Sequence, residues 1–150
     1  MPATNPMIQQ GTLNRIRTQV VVPNFTNLNV SASYMGKSMA KLALEGNFTQ
    51  QEETATGVVN SPNPFVMATI TMGLLRTQAL SSAWLAQGQS LSAIGPAVAY
   101  SDSAAYPPAY LDNASIYSYD PGAFDGSDPV VRVVLRGVFY LNNNLWALAV

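Results

Sequence analysis

The segment Val130–Tyr140 alternates with a period of two, and this pattern constrains the fold more than any other feature of the chain. Val131, Val133, Leu135 and Phe139 fall on one side, and Arg132, Val134, Arg136 and Val138 on the other. Only an extended strand puts residues i and i+2 on one face. The alternation recurs at 65–74, where Val66, Ala68, Ile70 and Met72 oppose Met67, Thr69 and Thr71. It recurs at 28–34, with Leu28, Val30, Ala32 and Tyr34 against Asn29, Ser31 and Ser33. Residues 39–48 repeat it, with Ala40, Leu42, Leu44 and Phe48 against Lys41, Glu45 and Asn47. Gly36 offers a turn between these last two runs, which together read as a hairpin. Shorter β-prone runs lie at 16–22, stopped by Pro23, and at 91–100 and 111–119.

The period changes once. Ala79, Leu80, Ala83, Trp84 and Gln87 fall at helical spacing, with Thr77 as the expected cap and Gly88 as the expected stop. Residues 47–64 carry Gln50, Gln51, Glu52, Glu53 and Gly57 and close on Pro62 and Pro64. They read as a long polar loop, and loops beyond about 12–15 residues are usually functional. Residues 101–108 and 120–129 (DPGAFDGSDP) are turn-rich connections. The start, MPATNPMIQQ, carries prolines and no periodicity, so 1–15 is expected as an irregular arm. The end, 141–150, passes through three asparagines into the apolar LWALAV. The expectation is one domain over 1–150, mainly β: an antiparallel β-sandwich or half-barrel with one packed α-helix. Six or seven strands are expected, with the helix after the fourth or fifth.

Composition sharpens the function classes. Charged residues make up 10% of the 150 residues, against about 25% in an ordinary soluble domain. Neutral polar residues fill the deficit, and they tolerate burial in a protein contact far better than ions do. Such a surface is expected to be covered largely by partners; the alternative is a neutral-surfaced secreted β domain. With no His and no Cys, the usual zinc sites, disulfides, Cys nucleophiles and Ser-His-Asp triads are excluded. A net charge of −1 argues against a basic grip on nucleic acid. No signal-peptide pattern and no run of about 20 apolar residues is present, so no membrane segment is expected.

Individual motifs add little chemistry. Ser38-Met-Ala-Lys41 matches the SxxK pattern of serine acyl-enzymes, but lies in a strand-like run without the companion motifs. Asp120, Asp125 and Asp128 lack the spacing of a helix-flanked calcium loop and sit among turn residues. Glu52 and Glu53 are adjacent and point opposite ways in an extended chain. Four Asn-X-Ser/Thr matches occur at Asn24, Asn29, Asn47 and Asn113 in a chain rich in these residues. Trp84 reads as core, whereas Trp146, in the apolar tail, needs a surface to dock on. No general acid–base pair can be named, so no catalytic, cofactor or metal residues are assigned and an enzyme is not expected.

Three segments taken together resemble the tail tube proteins of contractile-tailed bacteriophages and of phage-tail-like bacteriocins. They are Gly11–Gly36 (GTLNRIRTQVVVPNFTNLNVSASYMG), Ala55–Gln87, especially TGVVNSPNPFVMATITMGLLRTQALSSAWLAQ, and Asp102–Trp146, with DPGAFDGSDPVVRVVLRGVFYLNNNLW. The resemblance implies a subunit that closes hexameric rings and stacks them helically into a hollow tube for DNA ejection. Each subunit would lend four strands to a continuous inter-subunit β-barrel. It also implies partners: the chain itself, a contractile sheath, a baseplate hub, a tape measure protein and a tail terminator. The place would be the virion tail, assembled in the host cytoplasm, with DNA passing non-specifically. On this reading the stripe Ser31, Ser33, Glu45, Asn47, Thr69 and Thr71 is the candidate channel lining. Gln50, Gln51, Glu52, Glu53 and Thr54, with Trp146 and Leu148, are the candidate inter-ring contacts. Lys41, Arg132 and Arg136 test it, because cations facing a DNA channel need acids such as Glu45 to offset them. The competing readings are a decoration or tail-completion subunit, and a monomeric carbohydrate-binding module using Tyr106, Tyr110, Tyr117 and Tyr119.

Overall fold

The structure, a computed structural model, describes residues 6–13, 17–37, 39–103 and 105–145. Eight strands and one α-helix follow in the order β1 (Gln19–Val21), β2 (Lys41–Glu45), β3 (Thr49–Glu53), β4 (Val58–Pro62), β5 (Phe65–Leu75), α1 (Ala79–Ser90), β6 (Ala93–Tyr100), β7 (Ala109–Asp120) and β8 (Val130–Tyr140). Six strands form one antiparallel sheet, ordered β1-β6-β7-β8-β5-β2, which curls into a half-barrel. β3 and β4 pair only with each other.

The long strands follow their alternation. Val66, Ala68, Ile70, Met72 and Leu74 of β5 are buried, as are Val131, Val133 and Leu135 of β8. Direct pairing of Ile70 with Leu135 and of Met72 with Val133 puts both sets on one face. Helix α1 closes this face by burying Trp84 completely, together with Leu28 and Ile94 in the same core. The indole N–H of Trp84 has no partner, a cost set against the largest buried side chain of the core.

The curl comes from irregularities in the ladder. β6 shifts register around Gly95, at φ 75°, and β7 shifts after Asp112, where Asn113 is left-handed at φ 50°. Each bulge adds an unpaired residue and bends the strand. Opposite the second bulge stands Gly137, where a Cβ would come within 3.0 Å of the Ala114 Cα and the Asp112 carbonyl oxygen. Only glycine lets the bent strand approach so closely.

Four expectations are corrected. Residues 28–34 are not a strand: 3-10 turns occupy Thr26–Leu28 and Ala32–Tyr34, and Val30 makes an isolated two-bond bridge to Val20. Leu28 and Val30 bury themselves without extended pairing. Asn29 meanwhile spends its side-chain oxygen on the Val22 amide, the local competition typical of Asn. The expected hairpin with 39–48 is therefore absent, and β2 pairs with β5 instead. The expected loop at 47–64 is largely the β3–β4 hairpin. The helix is capped by Gln78 rather than Thr77 and runs through Gly88 to Ser90. Its end is held by Gln87, whose carbonyl and side-chain amide both bond Leu91. No described helix is long and apolar enough to cross a membrane.

Candidate functional site

The sheet has a second face, opposite the core, on β2, β5, β8 and β7. Register places Glu45, Met67, Val138 and Asp112 in one row across it. Ala43, Thr69, Arg136 and Ser115 form the next row, and Lys41, Thr71, Val134 and Ser118 the third. Gly73, Arg132 and Asp120 follow. Every charged residue of these four strands lies on this face: Lys41, Arg132 and Arg136 against Glu45, Asp112 and Asp120. Its formal charge is therefore zero. Arg136 is bound by Glu45, with Nη2 at 2.8 Å and Nε at 2.9 Å from one carboxylate oxygen. Its guanidinium also lies 5.6 Å over the ring of Tyr117. The Tyr140 hydroxyl donates to Asp112 Oδ2 at 2.8 Å. That hydrogen bond, followed by the Asp112 charge, raises the Tyr140 pKa above the usual phenol value.

Of the candidate lining, the structure brings Glu45, Thr69 and Thr71 onto this one face. Ser31 and Ser33 lie off the sheet, their hydroxyls 2.9 Å apart, because the strand expected to carry them does not form. Asn47 stands at the root of the hairpin, where its carbonyl accepts from Asn63 Nδ2 at 2.7 Å. Glu45 and Arg136 keep 44% and 38% of their side-chain surface, so their pair is screened by solvent. Glu45→Gln is expected to cost less than about 1 kcal/mol. Urea unfolding followed by circular dichroism checks this, and a loss above about 2 kcal/mol would show the pair to be a structural anchor.

The β3–β4 hairpin projects from the hairpin-side end of β5 and β8 with almost every residue exposed. Gln51 pairs with Asn60 and Glu52 with Val59, and the tip closes through Thr54 and Gly57. Val58 and Val59 stay more than half exposed. A two-stranded ribbon without a buried face is marginal by itself, yet its root is firmly tied. Asn142, left-handed at φ 49°, donates its amide to the carbonyls of Phe48 and Asn63. The Asn63 amide nitrogen adds a bond to the Phe48 carbonyl at 2.9 Å. The candidate contacts Gln50, Gln51, Glu52, Glu53 and Thr54 all lie on this hairpin. Trp146 and Leu148 lie outside the described residues, as does Ser38.

The four tyrosines weighed as a sugar platform go to different places. Tyr110 and Tyr117 are exposed along β7, and Tyr106 is exposed in the preceding loop. Tyr119 packs against the core and donates to the Ser81 carbonyl at 3.2 Å; burial raises its pKa. The three aspartates of the 120–129 connection each accept from backbone of their own loop, at Gly122, Ser127 and Val130. Donation from the Ser127 hydroxyl and amide holds the Asp125 carboxyl below its ordinary range. Sequence reasoning passed over Asn63 and Asn142, and weighed Tyr117 only as a sugar-stacking aromatic, not as a partner of Arg136. Only the run of asparagines at 142–144 offered a signal, since Asn readily adopts the left-handed conformation.

No family model matches the chain, and no curated protein matches it. Among solved structures, the chain is similar to the anti-feeding prophage cap, a tube terminating cap determined by cryo-EM. The identity is 15% and the TM-score 0.48, over 89% of this chain and 91% of that chain.

Proposed function

We propose that this chain is a structural subunit rather than an enzyme, assembling into stacked, hexameric rings that form the inner tube of a phage-tail-like particle. The observation that carries the reading is the two-sided division of the half-barrel. One face is a packed core, and the other is a polar four-stranded surface with three cations and three carboxylates. A channel that passes DNA must not exchange counterions with phosphate, and a face of zero net charge with Arg136 neutralised by Glu45 meets that need. β2 has β5 on one side and no strand partner on the other among the described residues. Such an edge is an aggregation hazard in a monomer and a joint in a ring. The exposed hairpin, rooted at the Phe65–Tyr140 end of β5 and β8, supplies a second surface for contact between rings. Sheath, baseplate hub, tape measure and terminator proteins are the partners this role requires.

Negative-stain electron microscopy of the concentrated protein tests the proposal. Stacked rings or hollow tubes are the expected result. Small closed oligomers that never extend would indicate a decoration or tail-completion subunit instead. Uniform monomers that bind oligosaccharide would favour the carbohydrate-binding reading.

A further inference from the structure

The connection between β7 and β8 is built far more firmly than a simple turn requires. Arg76 reaches across to donate to the carbonyls of Ala123 and Asp128, and its own amide bonds the Pro129 carbonyl. The three aspartate-to-backbone bonds brace the same nine residues from within. This bracing holds up Phe124, which is 85% exposed and lies 5.6 Å from the Arg76 guanidinium. A rigidly presented aromatic loses little entropy on docking, which is the property of an interface anchor.

The receptor for such an anchor lies at the other end of the same two strands. An open pocket of about 600 Å³ is lined by Pro108, Tyr110, Phe139, Tyr140 and Asn143, at the start of β7 and the end of β8. Knob and pocket are therefore separated along the β7–β8 hairpin by its full length, about 35–40 Å at the usual rise per residue. No chain can satisfy both by itself. Charge differs between the two ends. The knob end holds Lys37, Lys41, Arg76 and Arg132 against Asp120, Asp125 and Asp128, a formal +1, whereas Asp112, Glu52 and Glu53 at the pocket end sum to −3.

We infer that Phe124 of one copy seats in the Pro108–Tyr110–Tyr140 pocket of the next copy along the strand axis, as the anchor of a head-to-tail contact. This rests on the stacked-ring reading above and names the residues that register one ring on the next. A heterologous contact whose rotation does not close a ring propagates, and one directed along the strand axis would do so here.

The chain has no Cys, which makes cross-linking decisive. Phe124 and Tyr110 are both exposed, so cysteines there should leave the fold intact, as circular dichroism can verify. A disulfide needs Cα atoms within about 7 Å, so the double variant Phe124→Cys, Tyr110→Cys can bridge only between copies. Oxidised at well above the parent's assembly concentration, to offset the lost anchor, it is expected to run as a ladder of multimers on a non-reducing gel, with each single variant remaining monomeric. Phe124→Ala is expected to raise the protein concentration needed for assembly about tenfold, the effect of losing an interface anchor. Normal tubes with no ladder and an unchanged assembly concentration for Phe124→Ala would overturn the inference while leaving stacking intact. A dimer of the single Phe124→Cys variant would overturn it in favour of a two-fold contact. If the unmodified protein forms no stacked assembly under any of these conditions, both the stacking reading and the anchor fall together.

Discussion

Replacing residues 51–60 by Asn-Gly is expected to abolish the proposed stacking and to leave the fold unchanged. The substitution joins Gln50 to Ser61, which already pair directly, through a two-residue turn suited to a hairpin. Everything removed is exposed, with no part in the core. The root remains, because its ties run through Phe48, Asn63 and Asn142. Stability is expected to stay within about 0.5–1 kcal/mol of the parent, as for surface changes that touch no buried group. Assembly is expected to stop at single rings, seen by electron microscopy and by the loss of sedimenting tubes. Tubes of normal pitch from the shortened protein would show that the hairpin has no axial role.

Trp84→Ala is expected to be the most destabilising single substitution in the core, at about 3–5 kcal/mol. Trp84 has no exposed surface and packs where helix α1 meets the β5–β8 core face. Removing the indole takes away its burial and leaves a cavity that the braced sheet cannot collapse to fill. At about 2–4 °C per kcal/mol for a domain of this size, the melting temperature falls on the order of 10 °C. Trp84→Phe should lose much less, because it also removes an indole N–H that is buried without a partner. Thermal unfolding of the two variants separates these contributions. A Trp84→Ala protein melting within about 2 °C of the parent would mean the helix is not part of the core.

Legibility in the sequence followed burial. β5 and β8 were readable almost to the residue because one side of each strand is fully buried, and a one-residue shift would expose every apolar side chain. The helix was readable from the spacing around Trp84, though not its ends. Gln78 caps it without a side-chain bond and Gly88 is tolerated in its last turn. The β3–β4 hairpin was read as a loop because neither of its faces is buried, so no apolar alternation marks it. Residues 28–34 misled in the opposite way. Leu28 and Val30 do reach the core, but through turns and a single bridge rather than a strand.

The candidate site divides along the same line. Glu45, Thr69 and Thr71 could be placed on a polar stripe from alternation alone, since their strands bury the opposite face. That Arg136, 91 positions from Glu45 in the chain, would be its partner required the register of β2, β5 and β8. Phe124 looked like one residue of a turn-rich connection until Arg76 was found beneath it. By itself the sequence determined the half-buried long strands β5 and β8, their buried faces and the shortage of charge, because these depend on local period and composition. Tertiary structure alone decided which strands are neighbours, where bulges at Gly95 and Asn113 curl the sheet, and which charges meet. Pairing order and curvature arise from contacts between residues far apart in the chain, and no local pattern encodes those.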